Sequence, residues 1–420
     1  MQPAAMSMPA TYDEFKQRGM RLDMSRGKPS PEQLDLSRAL LDGGPAGAAA
    51  YLSRDGIDCR NYGHGAGLPE AREFGAQLLD VEAAQVIAAG NSSLELMYDA
   101  LSFAMLFGVP AGESQGMPWR NQRDVALLCP VPGYDRHFAI CEALGIRMIP
   151  VPMLDDGPDM DFVDAQVRSD AAIKGIWCMP LYSNPSGTIY SARTVERLAA
   201  TPAAAPDFRL LWDDAYRFHH LTDHPFATPN IVDACAQAGH ADRALVFASL
   251  SKATLAGSGV AFVASSARNI AWWQQRSGVR TIGPDKLNQL RHVRMLRDKA
   301  GLQALMAQHR ALLQPKFDAV ATVFAELLAD LPQVTWNRPA GGYFISLYAP
   351  PGCAARTVAL AAAAGLVLTP AGAAYPYGRD PEDRHLRIAP SYPGLDDVAL
   401  AARGIALSLR RAVEEVESET

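Results

Sequence analysis

No run of roughly eighteen apolar residues occurs in the sequence, so no segment is long enough to cross a bilayer as a helix. Charge of one sign is also missing. The 39 Lys and Arg against 45 Asp and Glu leave a net charge of −6 and no basic cluster. That balance argues against a nucleic-acid partner or a membrane surface. No CxxC pair exists among the six cysteines, Cys59, Cys129, Cys141, Cys178, Cys235 and Cys353. Most sit in apolar surroundings and read as small core residues in a reducing cytosol, with no metal site visible. Residues 1–10 lack a basic patch followed by an apolar stretch, so no secretory signal is expected and the cytoplasm is the expected compartment. No strand candidate ends in a G-x-G-x-x-G loop, which argues against a dinucleotide-dependent dehydrogenase.

What is present is a globular composition, 49% apolar and 20% charged over 420 residues. At about 150 residues per domain, this length suggests two or three domains. Residues 1–45 are polar, rich in Pro and Gly, and read as an N-terminal arm and part of the smaller domain. Short apolar runs then follow at 86–89, 125–129, 147–151, 173–179, 209–212, 245–248 and 260–264. Helical patterns at 93–106, 136–144 and 192–199 separate several of them. This alternation predicts an α/β domain over 46–305 with a mostly parallel seven-stranded sheet, its near-continuous apolar strands buried on both faces. Residues 285–330 read as one or two long helices. Short strands at 342–347, 366–368 and 385–389, and a closing helix from about 395, predict a smaller α+β domain over 306–420. The Ala/Gly-rich stretch 43–50 reads as a flexible connection or a helix start.

Polar turns recur at the ends of the buried strands, where open α/β sheets bind ligands. The run 245–248 leads into Ser249-Leu250-Ser251-Lys252, followed by small residues. A lysine leaving a buried strand is oddly placed for a surface charge, and a neutral amine there can form a Schiff base with a carbonyl. The run 86–89 ends in Gly90-Asn91-Ser92 before a helix, a setting that suits phosphate, or a plain helix cap by Asn91 or Ser92. After 125–129 comes Pro132-Gly133-Tyr134, whose tyrosine can stack on a flat ring. After 173–179 comes Ser183-Asn184-Pro185, whose amide can reach a phenolic oxygen, or simply make a turn. After 209–212 comes Asp213-Asp214-Ala215-Tyr216. A carboxylate there can keep a pyridine nitrogen protonated, and Tyr216 can donate to a ring oxygen.

The order of these stations resembles fold-type I, pyridoxal-phosphate-dependent aminotransferases of class I over nearly the whole chain. The resemblance implies that Lys252 forms the Schiff base and shuttles the proton, and that Asp213 holds the pyridine nitrogen. Asp213, not Asp214, has the family's spacing of three to Tyr216. It further implies that Tyr216 and Asn184 meet the ring oxygen, that Tyr134 stacks on the ring, and that Ser249, Asn91 and Ser92 bind the phosphate. The stretch Tyr62-Gly63…Gly67-Leu68-Pro69-Glu70 resembles the segment whose tyrosine reaches the neighbouring subunit's phosphate, which implies a homodimer with shared active sites. His385-Leu386-Arg387-Ile388-Ala389 resembles the strand whose arginine grips the substrate α-carboxylate, a task suited to its planar fork. Ser25-Arg26-Gly27-Lys28-Pro29 resembles the loop that closes over substrate, with Gly27 in backbone contact.

The sequence departs from that pattern after Lys252. No arginine stands eight residues on, so Ser258 and backbone donors are expected to meet the phosphate. This divergence, with the loop Thr281-Ile282-Gly283-Pro284-Asp285-Lys286, resembles the bacterial subgroup Ic aspartate aminotransferases, sometimes labelled MocR-like. MocR regulators add a winged-helix DNA-binding domain for which this chain has no room, so an enzyme is expected. For the distal carboxylate of aspartate or glutamate, Arg280 is the nearest candidate by position. Arg26, Lys28, Lys286, His219 and His220 are others, and a solvated Arg280 is the plain alternative. The expected activity is ping-pong transfer between an amino acid and a 2-oxo acid such as 2-oxoglutarate or oxaloacetate. A β-lyase, a decarboxylase and a non-catalytic sensor of the same cofactor are the competing readings.

Overall fold

The computed structural model describes residues 8–42 and 47–419. Most of the region read for a secretory signal and residues 43–46 of the Ala/Gly-rich stretch lie outside the described residues. The central sheet runs Val86–Ala88, Ala261–Ala264, Ala244–Ser249, Arg209–Asp213, Ile173–Cys178, Ala126–Val131, Arg147–Leu154, Gly157–Pro158. The first seven are the seven expected runs. The eighth corrects the expected count: Gly157–Pro158 adds a two-residue antiparallel edge to Arg147–Leu154. A Gly-Pro pair carries no strand preference, so nothing local signals that pairing.

Pairing is parallel from Ala244–Ser249 through to Arg147–Leu154, while Ala261–Ala264 runs antiparallel to both neighbours. Successive side chains alternate across the sheet. Leu128, Ile176, Leu210 and Trp212 therefore enter one hydrophobic cluster, and Leu127, Trp177, Leu211 and Phe247 enter another. Both faces are dry, which is why these strands read as continuous apolar runs. All six cysteines are buried and unpaired. Because the four inner strands are parallel, their carboxyl ends deliver Tyr134, Asn184, Asp213 and Lys252 toward one edge of the sheet.

The 285–330 stretch resolves into two helices, Lys286–Leu296 and Lys299–Leu328. Arg297, at φ 67°, breaks the first, and the Asp298 side chain caps the second by accepting from the Gly301 amide. Leu302, Leu305 and Met306 at the start of the second helix pack in the large core. Leu313, Phe317 and Val320 further along pack in a second core. That second core lies under an antiparallel sheet of Thr335–Trp336, Ile345–Tyr348 and His385–Ile388. The arm joins it: Leu22–Asp23 pairs with Leu366–Val367, and Phe15 is fully buried there. Among the described residues no helix is long and apolar enough to cross a membrane.

Candidate active site

Strand alternation separates the two adjacent acids. The Asp213 carboxylate meets His137 Nε2 at 3.0 Å and accepts from the Ala215 amide at 3.2 Å. Asp214 points away and takes Arg217 at 2.8 Å. Burial raises the pKa of Asp214, with the Arg217 charge opposing it. His137 itself lies flat on Trp177, with centroids 4.1 Å apart and planes 4° apart. It comes one helical turn after Tyr134, on the helix Asp135–Ala143, and its role was missed in the sequence. The signal available was that spacing of three, which puts both side chains on one helix face.

The Lys252 amine stands 4.2 Å from the centroid of the Tyr216 ring. The Tyr216 hydroxyl is buried and has no hydrogen-bond partner among the described residues. A buried hydroxyl left alone costs free energy unless a ligand or water completes it. Burial raises its pKa strongly, followed by the Asp213 charge, so it remains a donor. Tyr134 closes the same space; burial pushes it up to about 12, with the nearby Lys252 charge opposing.

Arg387, nearly buried on strand His385–Ile388, gives its Nη1 to Asp135 at 2.7 Å and, at 3.5 Å, to Asn184 Oδ1. Its Nε reaches Thr369 Oγ1 at 3.4 Å, and its guanidinium lies 5.0 Å over Phe344. A Cβ on Gly27 would stand 2.5 Å from Phe344 Cζ, so the arm can lie against that ring only with glycine there. Asp135, Thr369 and Phe344 had no signature in the sequence, because they come from three separate segments.

At the far side of Lys252, the Ser249 and Ser251 hydroxyls both donate to the Asn91 carbonyl, at 3.3 and 2.5 Å. The Asn91 side chain holds the Gly257 carbonyl at 2.9 Å. Ser92 caps the helix Ser93–Phe107 by accepting from the Glu95 amide at 3.3 Å. The amides of Asn91 and Ser92 make no hydrogen bond among the described residues. Hydroxyls and free amides at a helix N-terminus suit a phosphate. Ser258 is exposed on the adjoining turn.

Other candidates lie elsewhere. Arg280 pairs with Glu95 at 2.7 Å and Asp99 at 2.9 Å, and touches neither Asn184 nor Arg387 among the described residues. Lys286 is buried and donates to the Asn61 and Gly63 carbonyls. Lys28 covers the Tyr392 ring, and Arg26 is exposed. His220 bonds the Tyr182 hydroxyl at 2.6 Å, and His219 packs edge-on against Tyr216. Tyr62 is 81% exposed.

A lysine, an aspartate fixed by histidine, a partnerless phenol and a phosphate cradle at one sheet edge fit pyridoxal phosphate. They define a fold-type I enzyme dependent on that cofactor. The family model for aspartate aminotransferase matches residues 2–419. A Mycolicibacterium smegmatis protein with a provisional aminotransferase name is 49% identical over 404 residues, covering 96% of this chain and 94% of that one. The solved aspartate transaminase of Corynebacterium glutamicum ATCC 13032 is 44% identical, covers 96% of this chain and 94% of its own, and superposes with a TM-score of 0.92. The α-aminoadipate aminotransferase LysN of Thermus thermophilus, at 19% identity and a TM-score of 0.77 over 97% of this chain and 96% of its own, shares the fold. The chain belongs to the aspartate aminotransferase family and is an aminotransferase.

Proposed function

We propose that the protein reversibly transfers an amino group between aspartate or glutamate and a 2-oxo acid, 2-oxoglutarate or oxaloacetate, by ping-pong turnover. The observation that carries this reading is the Lys252 amine over the Tyr216 ring, whose hydroxyl is buried and partnerless. Pyridoxal phosphate, when bound, supplies an electron sink for the bond broken at the substrate Cα. Asp213, held by His137, sits where it can keep the ring nitrogen protonated. Tyr216 and Asn184 serve the ring oxygen, Tyr134 covers the ring face, and Ser249, Asn91, Ser92 and Ser258 line the phosphate end. The Lys252 amine would take the substrate Cα proton as general base and deliver it, as acid, to the cofactor carbon that carries the amine.

Arg387 binds the substrate α-carboxylate, which must displace or share with Asp135, the carboxylate it now pairs with. Gly27 brings the arm over the bound substrate. Arg280 remains the candidate for a distal carboxylate, at the cost of releasing Glu95 or Asp99. Tyr62, so exposed in one chain, fits a homodimer in which it completes the partner's phosphate site. Six reduced, buried cysteines suit a cytoplasmic setting.

The test is the visible absorption of the purified, cofactor-loaded protein. L-aspartate should bleach the bound-cofactor band and 2-oxoglutarate should restore it. A band that ignores aspartate but answers another amino acid discards the substrate. Pyruvate or carbon dioxide released without an oxo acid would mark lyase or decarboxylase chemistry. No band after added pyridoxal phosphate would sink the reading.

A further inference from the structure

The turn that carries Lys252 leaves two backbone carbonyls without donors from its own segment. Leu250 O accepts from the amides of Ala253 and Thr254 and from the Thr254 hydroxyl. No helix continues after it, so the carbonyls of Lys252 and Ala253 must be met from elsewhere. Two residues of the smaller unit and its connecting helix do this. The Tyr343 hydroxyl donates to Lys252 O at 3.1 Å, and His309 Nε2 lies 2.9 Å from Ala253 O.

A third residue joins them. Gln33 Nε2 lies 2.9 Å from His309 Nδ1 and donates to the Tyr343 hydroxyl at 3.2 Å. The assignment of protons is forced. A carbonyl only accepts, so His309 Nε2 carries the hydrogen and Nδ1 accepts from Gln33. Both amide hydrogens of Gln33 are then used, and its Oε1 accepts from the Ser30 amide at 3.0 Å. Gln33 and His309 are wholly buried, as is the Tyr343 ring. Burial lowers His309 to about 4, so the neutral ring that this pattern needs is the one present.

Gln33 stands on the helix Pro31–Asp35, directly after the arm segment 25–30. That segment touches the substrate side: Gly27 abuts Phe344, and the Thr369 hydroxyl that faces Arg387 donates to Ser25 O at 2.7 Å. Tyr343 and Phe344 are neighbours in sequence. One bonds the Lys252 carbonyl and the other lies under the Arg387 guanidinium.

We propose that Gln33, Tyr343 and His309 are positioning residues for Lys252, tying its backbone to the seat of the N-terminal arm. The inference rests on the aminotransferase reading. When the arm settles on Phe344, the same rigid set fixes the lysine's Cα and so where its amine can reach. With the network cut, the flexible side chain samples more positions and the proton transfer slows, while Arg387 still binds the substrate.

The experiment compares cofactor-loaded full-length wild type with Tyr343→Phe, Gln33→Met and the double variant. Tyr343→Phe keeps the ring and removes one hydroxyl, so it decides the matter if Gln33→Met does not fold. One readout is the pH midpoint of the bound-cofactor absorption band without substrate, which reports the Lys252 environment. The other is kcat against KM for the amino donor. The expected result is a midpoint shift of about half a unit or more and a kcat loss of about tenfold, the scale of one hydrogen bond, with KM within about twofold. The double variant should be no worse than the poorer single one, since both cut one network. Unmoved midpoints, unchanged kcat, or losses that multiply overturn the proposal. If wild type responds to an amino donor and the variants match it, only this proposal falls. If wild type binds no cofactor or answers no amino acid, the aminotransferase reading falls and takes this one with it.

Discussion

At the residue scale, the site is organised by pairs that fix one another. His137 holds Asp213, and Asp135 occupies Arg387, the arginine proposed for the substrate α-carboxylate. His309 gives a pH-dependent consequence. Its neighbours are Gln33 and the Ala253 carbonyl, with His219 nearby, and burial holds its folded pKa at about 4 against 6.5 when free. Between those values the unfolded chain binds the extra proton, so stability rises with pH there. The contribution is fully present above about 6.5 and is lost as pH falls toward 4. Linkage makes it on the order of 3 kcal/mol. Urea unfolding followed from pH 7 to 4 should show this loss. His309→Gln should flatten that slope by about one proton, and an unchanged slope would refute the assignment.

At the element scale, the boundary at Arg297 and Asp298 decides how the long helix is placed. Lys299–Leu328 begins in one core and continues in the other, so its start fixes the register of both. The Asp298 carboxylate accepts from the Gly301 amide at 2.8 Å and suits the positive end of the helix dipole. Asp298→Ala should lower stability by about 0.5–2 kcal/mol in denaturant titration, with kcat unchanged. A variant as stable as wild type would mean that the cap is redundant. The helix break itself was only half legible. Apolar spacing continues through 285–330, and a positive φ at an arginine has no composition signal of the kind glycine gives.

At the scale of the whole molecule, Tyr62 and the loop that carries it stand out, with Val279 and Ile282 also exposed close by in sequence to Gly283, which packs on the Gly63 carbonyl. In the proposed homodimer these residues meet the partner. Sedimentation should give a mass near twice the 45.2 kDa of one chain. Tyr62→Phe should keep that mass yet weaken cofactor retention by roughly the worth of one charge-assisted hydrogen bond, about tenfold. A monomeric wild type, or a variant that holds cofactor as tightly, would remove Tyr62 from the site.

The sequence by itself determined the seven principal strands and the stations at their ends. Burial on both faces writes continuous apolar runs, and parallel strands must release their loops at one edge. It also marked Lys252, Asp213, Tyr216 and Asn184 as candidates by their places after buried strands, and Arg387 by resemblance of its segment. Only the tertiary structure decided what surrounds them. Gln33 lies 276 positions from His309 and 310 from Tyr343, and Asp135 lies 252 positions from Arg387. No local spacing encodes such contacts; they exist because an arm, a helix and a sheet pack against one turn, and buried carbonyls there must find donors.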